Sequence, residues 1–314
     1  MATGSTRVVV VAFIGNGLIA ISKLAAAAYT GSSAMFAEGI HSVVDSGNQL
    51  LLLFGMKRAT RPADRRHPFG YGKEVYFWSF VVAILLFSIG SGVSLYHGIE
   101  KMLHPHPIEN PTVNFVVIGM ALVFEGYALH AAVTEVNRRR GDQSMLRYIR
   151  RSKDAPLVVV LLEDAGAMLG LIIAGLALLG VMLLDMPILD GLASVLIGIL
   201  LGVAAITLAI ETKGLLIGEA AEPEVQDGIA ELVRADASVL AINEVLTMHM
   251  GPEDIFCALS VDFRDDVTSV DVETSISALE ARIKESFPQV KRVFIEAQSV
   301  RGHLSALEAE GAQA

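Results

Sequence analysis

The sequence predicts an α-helical membrane protein with six transmembrane helices, followed by a C-terminal cytoplasmic α+β domain. Of the 314 residues, 53% are hydrophobic and 18% are charged, and the mean hydropathy is +0.54. This balance is typical of a chain that places most of its length in lipid. From residue 214 onward, 19 Asp and Glu residues stand against 7 Lys and Arg, which gives this part a formal charge of −12. We therefore expect a membrane domain over 1–213, an acidic domain over 214–300 and a disordered tail over 301–314.

The composition also excludes several classes of protein. An acidic C-terminal part argues against nucleic-acid partners, which require basic surfaces. Cys257 is the single cysteine, so the sequence excludes a disulfide framework and a cysteine-cluster metal site. The first apolar run, 8–29, is long enough to stay in the membrane and does not resemble a cleaved signal peptide.

Six segments are long and apolar enough to span a bilayer, which takes about 20 mostly apolar residues. They are 8–29, 33–56, 74–99, 112–136, 155–181 and 188–210. The connections KRATRPADRRHPFGYGK and RRRGDQSMLRYIRRSK carry six and seven Lys and Arg, whereas the three connections on the other side carry Lys101 alone. Basic loops stay in the cytoplasm, so both termini are predicted to be cytoplasmic. We expect the membrane to be the plasma membrane, or the inner membrane of a bacterium.

The C-terminal part changes to short amphipathic segments. The first segment, PEVQDGIAELVRAD, is typical of a helix that begins at Pro223. Two strands are predicted next, ASVLAINEVLTMHM and DIFCALSVDF, separated by the turn GPED. VDVETSISALEARIKESF has apolar residues at helical spacing, and KRVFIEAQ predicts a last strand. The order α-β-β-α-β predicts a small ferredoxin-like domain.

The second predicted span carries polar residues that lipid would not tolerate without compensation. Glu38, His41, Asp45 and Asn48 are spaced three, four and three, so they share one face of a helix. A His and an Asp at i, i+4 bring an imidazole nitrogen and a carboxylate together, which is half of a tetrahedral metal site. The alternative is a polar stripe that only hydrogen-bonds to neighbouring helices.

Other spans supply further polar groups. The fifth contains LLEDAGAMLG, in which Glu163 and Asp164 point about 100° apart on a helix. One of them is therefore expected to be a functional acid and the other an acid of the helix interface. Glu125 in the fourth span and Asn16 in the first are additional intramembrane candidates. Lys23, near the end of its span, is predicted to extend to the lipid headgroups.

Taken together, these motifs resemble the cation diffusion facilitator family, six-span antiporters that exchange divalent metal ions for protons. The resemblance rests on TGSSAMFAEGIHSVVDSGNQ, HPFGYGKEV, EDAGAMLGLIIAG, LLIGEAAEPE and the α-β-β-α-β tail. It implies a homodimer with cytoplasmic tails and a tetrahedral metal site built from one residue pair in span two and another in span five. His41 and Asp45 match the first pair.

The second pair departs from the family pattern. If Asp164 is the expected aspartate, the ligand position four residues earlier is Val160. Glu163 or Glu125 would then replace the missing ligand, and the Glu-Asp arrangement is similar to the branch that contains the animal mitochondrial zinc exporter. The resemblance implies Zn2+ as the cargo and protons as the counter-ion. An additional carboxylate favours harder ions such as Mn2+ or Fe2+, and Co2+ or Cd2+ are further possible cargoes.

The resemblance also implies sites outside the membrane. Asp64 and His67 match two positions that bind a second metal in some family members, but the third position is Tyr71. The alternative is that HPFGYG only forms a tight turn. Lys73 matches a lysine that pairs with an acid after span six, for which Glu219 is the candidate.

The C-terminal domain of the family often carries metal-sensing histidines. The matching positions here are Asn243, Ser260 and Glu296, and only His249 lies nearby in the sequence. A lone strand histidine is more often structural than ligating. We therefore expect a dimerisation domain rather than a metal sensor.

The sequence thus predicts a secondary transporter, not an enzyme, that exports a divalent cation from the cytoplasm by alternating access. Its expected partners are a second copy of the chain, the lipid bilayer and the metal ion. The alternatives are a transporter that prefers Mn2+ or Fe2+, and a membrane scaffold or sensor with a degenerate site. An intramembrane metalloprotease is disfavoured because the sequence contains no H-E-x-x-H motif.

Overall fold

The computed structural model describes residues 2–106, 108 and 110–311, and its backbone divides into two compact units. The membrane unit comprises Met1–Pro62 and Lys73–Lys213, and the C-terminal unit comprises Ala63–Gly72 and Gly214–Ala314. The connection after the second long helix therefore belongs to the same compact unit as the C-terminal domain.

The membrane unit consists of long helices and one short one. They are α1 Ala2–Thr30, α2 Ser33–Ala59, α3 Glu74–Leu85, α4 Gly92–Leu103, α5 Pro111–Arg139, the short α6 Met145–Arg151, α7 Ala155–Leu184 and α8 Ile188–Ile217. A π-helical segment, Leu86–Ser91, joins α3 to α4, so these two form one continuous span. In the described chain, five helical segments are long and apolar enough to cross a membrane by length and composition. Together with the C-terminal sheet, they confirm the predicted fold class.

α2 is long enough to cross a membrane but is not among the five apolar segments of the described chain, because polar side chains interrupt its apolar sequence. It packs against α1, α3, α4 and α7. Its neighbours therefore cover the polar residues that lipid would exclude.

The beginning of α2 is fixed by contacts with α8. Gly31, at φ 68°, makes the turn from α1, and the Ser32 hydroxyl accepts a hydrogen bond from the backbone N–H of Met35. The carboxylate of Asp190 in α8 accepts from the Ser33 backbone nitrogen at 2.7 Å and from the Ser32 hydroxyl at 2.6 Å. Since the first N–H groups of a helix lack partners within it, this carboxylate caps α2 from another helix.

Glycines allow α4 and α8 to approach each other closely. A Cβ on Gly98 of α4 would lie 2.7 Å from the backbone nitrogen of Val195, and one on Gly191 of α8 would lie 2.9 Å from the carbonyl oxygen of Gly98. Such small residues are typical of transmembrane helix crossings, where close packing rather than the hydrophobic effect drives association.

The C-terminal unit has the predicted α-β-β-α-β order. Its elements are α9 Pro223–Arg234, β1 Val239–Gly251, β2 Asp254–Phe263, α10 Ser269–Ser286 and β3 Val290–Ala297. β2 is the central strand, antiparallel to β1 and parallel to β3. α10 provides the crossover that a parallel pair requires. Apolar residues of both helices pack against alternate residues of β2, among them Cys257 and Leu259.

A further helix, α11 Val300–Gly311, lies where the sequence predicts a disordered tail. The backbone nitrogen of Val300 donates to the carboxylate of Asp262 at 3.1 Å and so attaches the beginning of the helix to β2. The Ala, Leu and Glu residues of HLSALEAE favour helix over coil.

The connection Ala63–Gly72 packs on the C-terminal sheet within its compact unit. Arg292 of β3 donates a hydrogen bond to the carbonyl oxygen of Phe69 at 3.1 Å, and its guanidinium lies 5.4 Å from the Phe69 ring. That ring makes an edge contact with Phe256 of β2 at 5.7 Å. At Gly72 the backbone approaches so closely that a Cβ would collide with the carbonyl oxygen of Met250.

Candidate metal centre in the membrane unit

The polar face of α2 is buried along its length. Glu38, His41, Asp45 and Asn48 are each at most 1% exposed. His41 Nε2 lies 3.3 Å from Asp45 Oδ2, as expected for an i, i+4 pair on a helix. Imidazole nitrogen and carboxylate oxygen are both ligand atoms that Zn2+ accepts.

α7 packs against this face of α2. The side-chain amide of Asn48 donates to Glu163 Oε1 at 2.6 Å, which places Glu163 at the interface of the two helices. Farther along α7, a Cβ on Gly166 would lie 3.9 Å from His41 Cε1. Because Gly166 carries no side chain, the imidazole lies close to the α7 backbone.

Asp164, next to Glu163, is also buried, with 1% exposure. Glu125 of α5 is fully buried as well. The acids predicted from α2, α5 and α7 are therefore all removed from solvent within the membrane unit. Val160, at the family's ligand position, is fully buried and offers no ligand atom.

The prediction that Lys23 extends to the headgroups is wrong. Its side chain is fully buried, and its ammonium group donates to Glu38 Oε2 and to Ser42 Oγ, each at 2.9 Å. Glu125 Oε1 lies 3.7 Å from the same nitrogen. These partners come from α2 and α5, and they offset part of the cost of desolvating the ammonium group.

Many polar atoms in this region have no hydrogen-bond partner among the described residues. They include Asn16 Nδ2, Glu38 Oε1, both ring nitrogens of His41, Asp45 Oδ1, Asn48 Oδ1, both oxygens of Glu125, Glu163 Oε2 and Asp164 Oδ2. Buried polar groups in native proteins nearly always have partners, so a cluster of exceptions requires a cation, protons or water. No three His, Cys, Asp or Glu side chains within the described ranges converge to hold a metal ion. Binding would therefore require side chains of α2 and α7 to reorient.

The predicted second site, Asp64 and His67, lies in an exposed turn. Asp64 Oδ1 accepts from the His67 backbone nitrogen at 2.7 Å, and Asp64 Oδ2 accepts from the Tyr71 hydroxyl at 2.8 Å. These hydrogen bonds, that from Tyr71 above all, hold the pKa of Asp64 below its usual range. His67 Nδ1 is 3.7 Å from Asp64 Oδ1. Both carboxylate oxygens thus stabilise the turn, and metal binding here stays a prediction.

The remaining predicted residues lie in or beside the C-terminal unit. The pairing of Lys73 with Glu219 stays a prediction, since the two residues belong to different compact units. The backbone carbonyl of Glu219 accepts from the backbone nitrogen of His249 at 2.9 Å. His249 is buried, and its Nδ1 lies 3.2 Å from the carbonyl oxygen of Gly251. This packing agrees with a structural role for the histidine.

Two of the three positions that would carry sensing histidines, Asn243 and Ser260, belong to a hydrogen-bonded network with Gln298. The amide of Asn243 donates to Ser260 Oγ at 3.2 Å and to the carbonyl oxygen of Gln298 at 2.8 Å. The Ser260 hydroxyl donates to the side-chain oxygen of Gln298 at 3.2 Å. These side chains bond to one another across the sheet.

Comparison with known proteins gives a consistent result. The family model for the cation efflux transmembrane domain matches residues 9–217. The mitochondrial proton-coupled zinc antiporter SLC30A9 of Xenopus laevis is 37% identical over 83% of this chain and 47% of its own length. Metal tolerance protein C4 of Arabidopsis thaliana is 32% identical over 82% of this chain and 57% of its own. The cation-efflux pump FieF of Cronobacter sakazakii is 25% identical over 90% of this chain and 89% of its own length. The chain spans about half the length of the first two relatives.

Proposed function

The chain belongs to the cation diffusion facilitator family of cation efflux proteins, and from that membership we propose that it exchanges a divalent metal ion for protons across a membrane. Zn2+ is the first candidate for the cargo, because a relative at 37% identity is named a proton-coupled zinc antiporter. The proposed transporter is a homodimer with both termini on the side from which the metal leaves.

The observation that carries this proposal is the excess of buried carboxyl groups over buried cations between α1, α2, α5 and α7. The carboxyl groups are those of Glu38, Asp45, Glu125, Glu163 and Asp164, and the buried ammonium group among them is that of Lys23. Several negative charges cannot remain ionised together in such a region without a counter-charge. A divalent cation or protons would supply it, and the two would compete for the same atoms.

In this mechanism, His41 binds the metal through a neutral ring nitrogen, and Asp45 and Asp164 bind it as carboxylates, with Glu163 as the further ligand. Because a metal ligand must be deprotonated, metal binding releases protons and protonation releases the metal. Helix rearrangement that exposes the site to one side at a time turns this competition into exchange. A proton gradient directed toward the compartment of the termini would then drive metal export.

The test is transport by the full chain in proteoliposomes, with a zinc-sensitive dye and a pH-sensitive dye read together. We expect zinc movement coupled to opposite proton movement, and loss of both in His41→Ala and Asp45→Ala. His130→Ala is the matched control, because His130 is an exposed histidine on α5. Size-exclusion profiles show whether each variant retains the assembly of the wild type.

Wild-type rates in both His41→Ala and Asp45→Ala would refute this site. Zinc binding by the wild type without zinc or proton flux would instead support the sensor or scaffold alternative, for which Val160 is the observation in favour. The same assay with Mn2+, Fe2+, Co2+ and Cd2+ measures the preference for zinc.

A further inference from the structure

Lys23 forms a buried ion-pair network beside the candidate metal centre. Its ammonium group bonds to Glu38 Oε2 and Ser42 Oγ, and it is 3.7 Å from Glu125 Oε1. Glu38 lies three residues before His41, and Ser42 directly follows His41. The network is therefore within one helical turn of a proposed metal ligand.

Burying such a network lowers the stability of the fold, which suggests that its charged groups have a function. Removing a lysine and two carboxylates from water is unfavourable for each ion, and their mutual attraction offsets that cost only in part. All three side chains are fully buried. A mere packing role could be filled by apolar residues of similar volume.

The ammonium group of Lys23 makes carboxylate oxygens unavailable as metal ligands. A carboxylate oxygen that accepts from Lys23 cannot also face a divalent cation, since two cations at one oxygen repel each other. Glu38 is restricted further, because its Oε1 lies against Gly170, where a Cβ would collide with it. While Lys23 is in place, its hydrogen bond holds Glu38 away from His41, and its ion pair at 3.7 Å orients Glu125 Oε1 toward the ammonium group.

We propose that Lys23 is a specificity-determining residue, whose ammonium group engages Glu38 and Glu125 and so keeps these two carboxylates out of the coordination of the transported metal. This inference rests on the proposed function. The metal then meets one imidazole and the acids of α2 and α7. A site with nitrogen and few carboxylates suits Zn2+, whereas additional carboxylates suit Mn2+ and other hard cations.

The experiment compares Mn2+ and Zn2+ transport by the full chain in proteoliposomes. In Lys23→Met, Glu38 and Glu125 lose their cation, and we expect the ratio of Mn2+ to Zn2+ transport to rise at least about tenfold. Lys101→Met is the matched control. Lys101 is also buried in the membrane unit, but its ammonium group donates to the carbonyl oxygen of Gly31 at 2.9 Å rather than to an acid.

Two further variants separate specificity from packing. Lys23→Arg retains the positive charge and should keep the metal ratio of the wild type. The triple variant Lys23→Met, Glu38→Gln, Glu125→Gln removes both released carboxylates and should return the ratio toward that of the wild type. A purely structural lysine would leave the triple variant as defective as Lys23→Met, with no change of ratio in either.

An unchanged metal ratio in Lys23→Met, with zinc transport present in the wild type, would overturn the inference and leave the proposed function intact. Absence of zinc transport in the wild type would count against the proposed function itself. If Lys23→Met does not assemble, two double variants decide: Lys23→Met with Glu38→Gln, and Lys23→Met with Glu125→Gln, each of which releases one carboxylate. A ratio of Mn2+ to Zn2+ transport above that of the wild type in either would support the inference, and the wild-type ratio in both would overturn it.

Discussion

The membrane unit and the C-terminal unit each contain a buried or half-buried polar network, and the two differ in how completely their atoms are bonded. In the C-terminal sheet, Asn243, Ser260 and Gln298 bond to one another. Between α2 and α7, His41 and Asp164 retain side-chain atoms with no hydrogen-bond partner among the described residues. A satisfied network has little capacity left for a ligand, whereas an unsatisfied one has the atoms that a cation or proton needs.

The difference has an energetic meaning. A buried donor or acceptor without a partner costs about 1–3 kcal/mol, and more for a charged group. A protein that carries several such groups in one place tolerates the cost because a functional state supplies the missing partners. We therefore expect the C-terminal network to stabilise the fold and the membrane network to bind the proposed cargo.

The largest effect is expected from Asp164→Asn, which keeps the shape of the side chain and removes its charge. We expect zinc transport to fall at least about 100-fold, equivalent to a loss of about 2.7 kcal/mol of interaction. The melting temperature in detergent should not fall, because the substitution replaces a buried carboxyl group, whose Oδ2 has no hydrogen-bond partner among the described residues, by a neutral amide. Transport and thermal unfolding of the same preparation measure both. A lower melting temperature with normal transport would contradict this prediction, because it would show that Asp164 stabilises the fold and does not bind the cargo.

A smaller effect is expected from Asp190→Ala, since Asp190 is a buried membrane acid whose oxygens are bonded. Its carboxylate accepts from Ser32 and Ser33 at the beginning of α2. Removing it leaves these donors unpaired, so we expect a loss of about 1–3 kcal/mol in the free energy of unfolding, with an unchanged Mn2+ to Zn2+ ratio. Thermal unfolding measures the first quantity and transport the second.

Asp185→Asn is the control for this variant. Asp185 is exposed at the end of α7 and has φ 53°, a conformation that Asn tolerates. A fall in melting temperature in the control equal to that in Asp190→Ala would show that the capping contact is not the cause.

The smallest effect is expected from Asn243→Ala in the C-terminal network. Loss of its two hydrogen bonds should cost about 1 kcal/mol and raise local opening of the sheet about fivefold, without a change in transport. Cys257 of β2 reports the opening. Burial raises the pKa of its thiol to about 11, so the native protein should react slowly with a thiol reagent at pH 8.

The labelling rate of Cys257 in the full chain, with Thr274→Ala as a control on the exposed side of α10, measures this opening. An equal rate in Asn243→Ala and the wild type would mean that the network does not stabilise the sheet.

The sequence was sufficient for features that depend on local periodicity. The spacing of Glu38, His41 and Asp45 predicts their common face on α2, and the segment DIFCALSVDF after the turn GPED predicts β2 Asp254–Phe263 at its observed ends. It was not sufficient for Lys23, because the position near a helix end suggests lipid headgroups while the partners belong to other helices. The hydrogen bond from the Tyr71 hydroxyl to the Asp64 carboxylate was also not predicted. The two residues are seven apart in the sequence, and only the folded turn brings their side chains together.

The glycine contact between α4 and α8 has a mechanical consequence. Where Gly98 meets Gly191, backbone lies against backbone, and neither residue has a side chain that could change rotamer to let one helix slide past the other. These two helices are thus expected to behave as one rigid body during the transport cycle. The movement that opens and closes a path to the metal must then occur elsewhere, at seams where side chains can exchange partners, and the polar seam between α2 and α7 has that property.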